Sequence, residues 1–344
     1  MADMVEPAAL DTSTATCRGH RGGVLAVEWE PKAGRLASAS LDGSLQLWSP
    51  EGQCLEVLEG TERGFASCLA WAAGGSRLAT GFQDGAVLIW YPSSALPTVV
   101  CKGHKNQVRC VGWRPKGKEA VASGSLDGTV RIWEPKKGKC LKTCQGEGGY
   151  VYCLLWHPDG TCLAAGSTDG AVRIFNPDSG GCMVKCEGHT GPVAALAWAP
   201  GHVNLAAGSH DGTASVWNSA TGHKVADCAT PDRVFTIAWR TQLQRPRLAT
   251  GSADGSICIF DTTAGVCMAK FQAHSGAVLS LAWGSESLAS AGQDGTVRIW
   301  EARTATCLAV HVGHLGAVLC VRWAPEGPGL ASASEDGTVK IWPA

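Results

Sequence analysis

Tyrosine (3), methionine (4) and phenylalanine (6) are scarce in this chain, yet its 344 residues hold 14 tryptophans and 44 glycines. A mixed aromatic core does not give that balance, so the tryptophans need a positional explanation. Net charge is nearly absent, at −1. That excludes an overall field drawing the molecule to nucleic acid or anionic lipid. No apolar run reaches the roughly 18 residues a spanning helix needs. The start, "MADMVEPAAL", lacks the basic and apolar regions of a signal peptide, and no Asn-x-Ser/Thr acceptor occurs. A soluble protein of the cytosol or nucleus is expected.

Sixteen cysteines would suit disulfides or metal, but no C-x-x-C pair exists, and Cys140/Cys144 and Cys182/Cys186 lack a His partner at zinc spacing. Cys68, Cys110, Cys153 and Cys320 each lie three residues before a tryptophan, as packing residues at equivalent places would. Reduced thiols and no metal are expected. The chain also lacks G-x-S-x-G, a P-loop, H-E-x-x-H and an Asp-rich calcium loop. No catalytic residue and no cofactor are predicted.

What the chain has in abundance is repetition. "SLDGSLQLW" (40–48), "SLDGTVRIW" (125–133) and "SEDGTVKIW" (334–342) are variants of one phrase. Asp-Gly recurs at 42, 84, 127, 169, 211, 254, 294 and 336, and six residues after each Asp stands Trp or Phe. A second series, from Trp29 to Trp323, supplies the remaining tryptophans. Each unit of about 42 residues reads as four short antiparallel strands, the signature of a β-propeller blade. One blade has two apolar faces and open edges, so it needs neighbours, and a closed ring supplies them.

The units resemble WD repeats over residues 12–343, after a short tail of residues 1–11. The resemblance implies an all-β, eight-bladed propeller. It also implies a buried relay of Trp, Ser, His and Asp within a blade. Matching residues are Trp48–Ser38–His20–Asp42 and Trp133–Ser123–His104–Asp127. Trp300–Ser290–His274–Asp294 and Trp342–Ser332–His314–Asp336 complete the set. Blade 5 has Ala207 where the hydroxyl belongs. Blades 2, 4 and 6 lack the His, with Thr61 and Glu147 in two of the places, and blades 4 and 6 carry Phe175 and Phe260 instead of Trp. Half the blades are therefore expected to rely on packing alone. The last unit has no fourth strand of its own, and "DTSTATC" (11–17) is the segment expected to supply it.

Function must lie where the repetition breaks. In this family the loops entering the first strand and the Asp-Gly turns share the top face. There, blades 2, 3, 4 and 6 place Phe65, Gln107, Arg109, Tyr150, Tyr152, Arg233 and Phe235, whereas blades 7, 8 and 1 hold small or aliphatic residues. Aromatic and Arg side chains are what interaction hot spots favour; the plainer alternative is that one or two rings plug a wide channel. The leading expectation is a protein-interaction scaffold, a subunit of an assembly, holding a partner's peptide or loop. A rival lies on the bottom face. Arg114, Lys116, Lys118, Lys136, Lys137 and Lys139 in blade 3 join Arg240, Arg245 and Arg247 in blade 6, a set able to bind RNA or phosphoinositide phosphates. Finally, "LASAGQDGTVRIWEAR" (288–303) resembles the box of propeller receptors in cullin-RING ubiquitin ligases, with Arg303 as its distinguishing residue.

Overall fold

The computed structural model describes residues 11–343 apart from 33, 93–97, 147, 202, 241–245, 302–303 and 326–328. Eight four-stranded antiparallel sheets follow one another around a ring. In blade 5 the strands are Val193–Trp198, Asn204–Ser209, Thr213–Asn218 and Lys224–Ala229, counted outward from the axis. The inner strands are Val24–Trp29, Ala66–Trp71, Val108–Trp113, Val151–Trp156, Val193–Trp198, Val234–Arg240, Val278–Trp283 and Val318–Trp323. Each touches the inner strand of the next blade, and the eighth touches the first.

The sequence dictates this layering through side-chain size. Second strands such as Leu36–Ser40 and Val121–Ser125 are buried at every position and consist largely of Ala, Ser and Gly. Sheets can then stack closely. At Gly124 a Cβ would stand 2.6 Å from Val151 Cγ1 of the next blade, so only glycine lets that valine in. Third strands end on large aromatic residues, and Trp48, Trp133, Trp217 and Trp342 are among the largest fully buried side chains. Outer strands alternate between exposed and half-buried positions, as in Cys54–Glu59.

Each Asp-Gly pair closes the hairpin between second and third strands. In blade 3 the Gly128 N–H reaches the Ser125 carbonyl at 3.1 Å, and Gly128 takes a φ of 81°, which a side chain would resist. Asp127 then accepts the Thr129 N–H at 2.9 Å. The turn is held by its own acid.

Ring closure uses both ends of the chain. Ala15–Cys17 pairs antiparallel with Val339–Pro343 and becomes the outer strand of blade 8, with Ala15 opposite Ile341 and Cys17 opposite Val339. Thr14 adds an N–H bond to the Ile341 carbonyl at 2.8 Å. The buried Lys340 ammonium reaches Asp11 and, at 2.9 Å, Thr16. A polar, Thr-rich segment suits this position because an outer strand keeps one side in water.

Candidate interaction site

The sequence-predicted relay residues converge in four blades. In blade 1 the Trp48 indole N–H donates to Ser38 Oγ at 2.8 Å, His20 Nε2 lies 2.7 Å from the same hydroxyl, and His20 Nδ1 lies 3.1 Å from Asp42. Blades 3, 7 and 8 repeat this, with Ser123, Ser290 and Ser332 at 2.7 Å from His104, His274 and His314. Trp133, Trp300 and Trp342 donate to those serines, and Asp127, Asp294 and Asp336 each approach Nδ1 at 2.9 Å. A carboxylate only accepts, so Nδ1 carries the proton, Ser donates to Nε2, and its lone pair takes the indole N–H. Burial alone would raise Asp127. The bonds from His104, the Lys105 N–H and Thr129 outweigh it and hold the acid well below the ordinary carboxylate value. This histidine set is a fastening device.

The top face is built on a second repeated feature. Every inner strand carries a β-bulge immediately after its first residue, so that one residue has no partner across the ladder. The unpaired residues are Leu25, Ser67, Arg109, Tyr152, Ala194, Phe235, Leu279 and Leu319. A bulge re-aims its side chain. Two positions earlier, each loop carbonyl accepts the N–H of the residue before the turn Asp: Phe65 from Gln83, Gln107 from Leu126, Tyr150 from Thr168 and Arg233 from Ala253. Loops and turns are thereby zipped into one platform.

On that platform the Arg109 guanidinium lies 5.7 Å from the centre of the Tyr152 ring, across the boundary of blades 3 and 4. Tyr150 is 52% exposed, while Tyr152, Phe65, Gln107 and Phe235 are half-buried. Arg233 is exposed and only loosely paired with Asp232, at 3.9 Å. Phe235 meets the edge of His210 with ring centres 5.2 Å apart. His210 belongs with this set although the sequence shows it only as a turn residue. Its signal is its position just before Asp211, where its N–H bonds to the Pro192 carbonyl. Burial and the neighbouring Arg233 charge lower its pKa, which favours the neutral ring.

A family model described as WD domain, G-beta repeat matches residues 11–49, 52–91, 96–134, 138–176, 180–218, 265–301 and 305–343. The chain belongs to the WD40 family. Among solved structures it is similar to the computationally designed Ika8 protein, with 24% identity, a TM-score of 0.85, and 97% of this chain and 100% of that one covered. That likeness concerns the fold alone. No curated protein matches the chain.

The family model passes over residues 219–264, where the WD40 propeller nonetheless forms its sixth blade. That blade has Phe260 in place of the tryptophan, and Thr250 Oγ1, buried in the second strand, is left without a partner. Blade 5 keeps His189 on Asp211 at 2.9 Å, but opposite Ala207 both His189 Nε2 and Trp217 Nε1 are unpaired. In blade 4 the turn acid is held from the third strand instead: Arg173 reaches Asp169 at 2.7 Å. Blade 2 corrects the expectation that half the blades rely on packing alone: Trp90 donates to Thr80 Oγ1 at 3.0 Å. A threonine hydroxyl does half the work of the relay without a histidine.

The inner-strand tryptophans other than Trp198 are inter-blade fasteners. Trp29, Trp71, Trp113, Trp156, Trp239, Trp283 and Trp323 each donate an indole N–H to an inner-strand carbonyl of the preceding blade, at 2.9–3.2 Å. Two of the bottom-face arginines serve this layer. Arg114 lies over Trp156, bonds the Gly160 carbonyl at 2.8 Å and pairs with Asp178. Arg240 is buried over Trp283 and reaches Glu286. Lys116, Lys118, Lys136, Lys137 and Lys139 are exposed, with Lys137 near Glu134 at 3.5 Å, and Arg247 is half-buried. Arg245 and Arg303 lie outside the described residues. All sixteen cysteines are free, and burial pushes Cys153 up to about 12.

Proposed function

We propose that this propeller, of a family that generally serves as non-enzymatic protein-interaction scaffolds, seats an extended peptide or loop of a partner protein on its top face. The anchors are Phe65, Gln107, Arg109, Tyr150, Tyr152, Arg233 and Phe235. The observation that carries this reading is the stacked Arg109–Tyr152 pair beside the exposed Tyr150. A guanidinium held over a ring presents fork-like donors next to apolar surface, as recognition of a peptide backbone and its side chains requires. The rigid ring lowers the ordering cost of binding. The chain would act as a subunit of a larger assembly in the cytosol or nucleus, where its thiols stay reduced.

The test is quantitative capture of partners from cell extract by the wild type and by Tyr150→Ala/Tyr152→Ala/Phe235→Ala, each with its melting curve. Loss of specific proteins by a folded variant supports the reading. Undiminished capture refutes it and turns attention to the five exposed lysines at the bottom of blade 3.

A further inference from the structure

At the end of the axis away from the Asp-Gly turns, the inner strands line a half-open cavity of about 470 Å³, a size ordinary for small-molecule sites. Six of the eight residues that precede an inner-strand tryptophan are Ala, Gly or Leu. The two exceptions, Glu28 and Arg322, are opposite charges on adjoining blades, and both line this cavity. The rest of its wall is mainly apolar, with Leu69, Val111, Leu154 and Trp113 among the lining residues.

Glu28 Oε2 accepts the main-chain N–H of Trp71 at 3.0 Å, and Arg322 donates one guanidinium nitrogen to the Val321 carbonyl at 2.9 Å. Among the described residues neither charge forms an ion pair, with the other or with any third group. Burial pushes the Glu28 carboxyl up to about 7, opposed by the Trp71 N–H and the Arg322 charge. Capping an inner-strand N–H does not explain a carboxylate at this position. Thr236 and Ser280 cap the N–H groups of Leu281 and Val321 with hydroxyls, at 3.3 and 3.2 Å. Glu28 is half-buried and Arg322 exposed at the cavity, and a partly desolvated charge that no opposite group touches gains from a ligand that supplies one.

A lone cation entering here would meet Arg322, and a lone anion would meet Glu28. A head group carrying both charges on one carbon satisfies each. We propose that this cavity is a binding site for a free α-amino acid with a large aliphatic side chain. The ammonium meets Glu28, the carboxylate meets Arg322, and the side chain lies among Leu69, Val111 and Leu154. This inference is independent of the top-face reading.

The experiment is calorimetric titration of the full chain at neutral pH with L-leucine, 3-methylbutylamine and 4-methylpentanoate. The expected result is binding of leucine, with each single-charge analogue weaker by about tenfold or more. Glu28→Gln and Arg322→Gln should each erase that preference while leaving the melting transition in place. The analogue comparison needs only wild-type protein, so it stands even if a variant does not fold. Absence of leucine binding up to about 10 mM, or an analogue that binds as tightly as leucine, overturns the proposal.

Discussion

In blade 5 the His189 and Trp217 rings stand 5.2 Å apart, centre to centre, on either side of the place where Ala207 lacks a hydroxyl. In blades 1, 3 and 8 the matching rings are 5.8–6.1 Å apart, with a serine Oγ bonded to both. Blade 5 therefore leaves one buried acceptor and one buried donor unpaired. Ala207→Ser should satisfy both at once. The gain expected is about 1–2 kcal/mol, the usual penalty of an orphaned buried polar group. Denaturant melts of the two proteins measure it, and an unchanged or lowered midpoint would show that the blade has adapted to alanine.

The relay acids set a pH dependence whose sign is fixed. Asp127, Asp294 and Asp336 are held below their ordinary value of 3.8 by bonds from His, Thr and main-chain N–H groups, against the effect of burial. A carboxylate depressed in the folded state stabilises fully above its unfolded pKa and loses that contribution as pH falls through the folded one. Stability should thus be flat near neutrality with respect to these groups and decline below about pH 4. Asp336→Asn should cost about 1–3 kcal/mol at neutral pH, and its deficit against wild type should shrink in acid. Urea melts across that range check both statements.

The inner tryptophans offer a matched pair of substitutions. Trp113 donates its indole N–H to the Ala70 carbonyl at 2.9 Å, whereas Trp198 Nε1 is buried without a partner and His157 packs edge-on at 4.7 Å. Replacing either by Phe loses similar apolar area, but only Trp113→Phe strands a carbonyl. Trp113→Phe should cost about 1 kcal/mol more than Trp198→Phe. Equal losses in thermal melts would mean that packing, not the N–H, holds adjoining blades together.

The ring is closed by a short strand from the other end of the chain, Ala15–Cys17 against Val339–Pro343. Removing residues 1–17 would strip the Ala15–Cys17 ladder, the Thr14 bonds to Ile341 and the partners of buried Lys340. At about 1 kcal/mol for each lost hydrogen bond, the cost is on the order of 3–5 kcal/mol. The bared Val339–Ile341 edge should also pair between molecules. Light scattering after size exclusion should show association that grows with concentration. A monomeric and equally stable truncation would show that the latch is dispensable.

The repeat makes the architecture legible in the sequence: Asp-Gly turns, two aromatic series and a missing fourth strand lead to eight blades and their closure. What stayed hidden depends on contacts between blades. Nothing in "VRCVGW" marks Arg109 as the unpaired residue of a bulge, because the segment has no strict alternation whose phase a bulge would visibly shift. Trp29 repeats visibly, yet its carbonyl acceptor at Arg322 is 293 residues away. Arg114 and Arg240 look like free surface charge in one dimension, and only the next blade's indole shows that they are engaged. Thr80 replaces a serine without its histidine, so blade 2 looks emptier in sequence than it is.

Salt separates the two surfaces on which a partner can sit. An aromatic and guanidinium platform draws on apolar contact and short-range bonds, so capture through Arg109, Tyr150 and Tyr152 should fall only modestly between low and moderate salt. Phosphate binding by the blade 3 lysines releases counterions and should fall by about tenfold or more over that range. Tyr150, half exposed and bonded through its main chain to Thr168, can be replaced by alanine with little loss of stability, within about 0.5 kcal/mol. Its effect on capture is therefore not a folding effect. Arg109→Ala should weaken capture further, because it removes the guanidinium and leaves the Tyr152 face uncovered. If capture instead vanishes with added salt and is indifferent to both substitutions, the working face is the basic one.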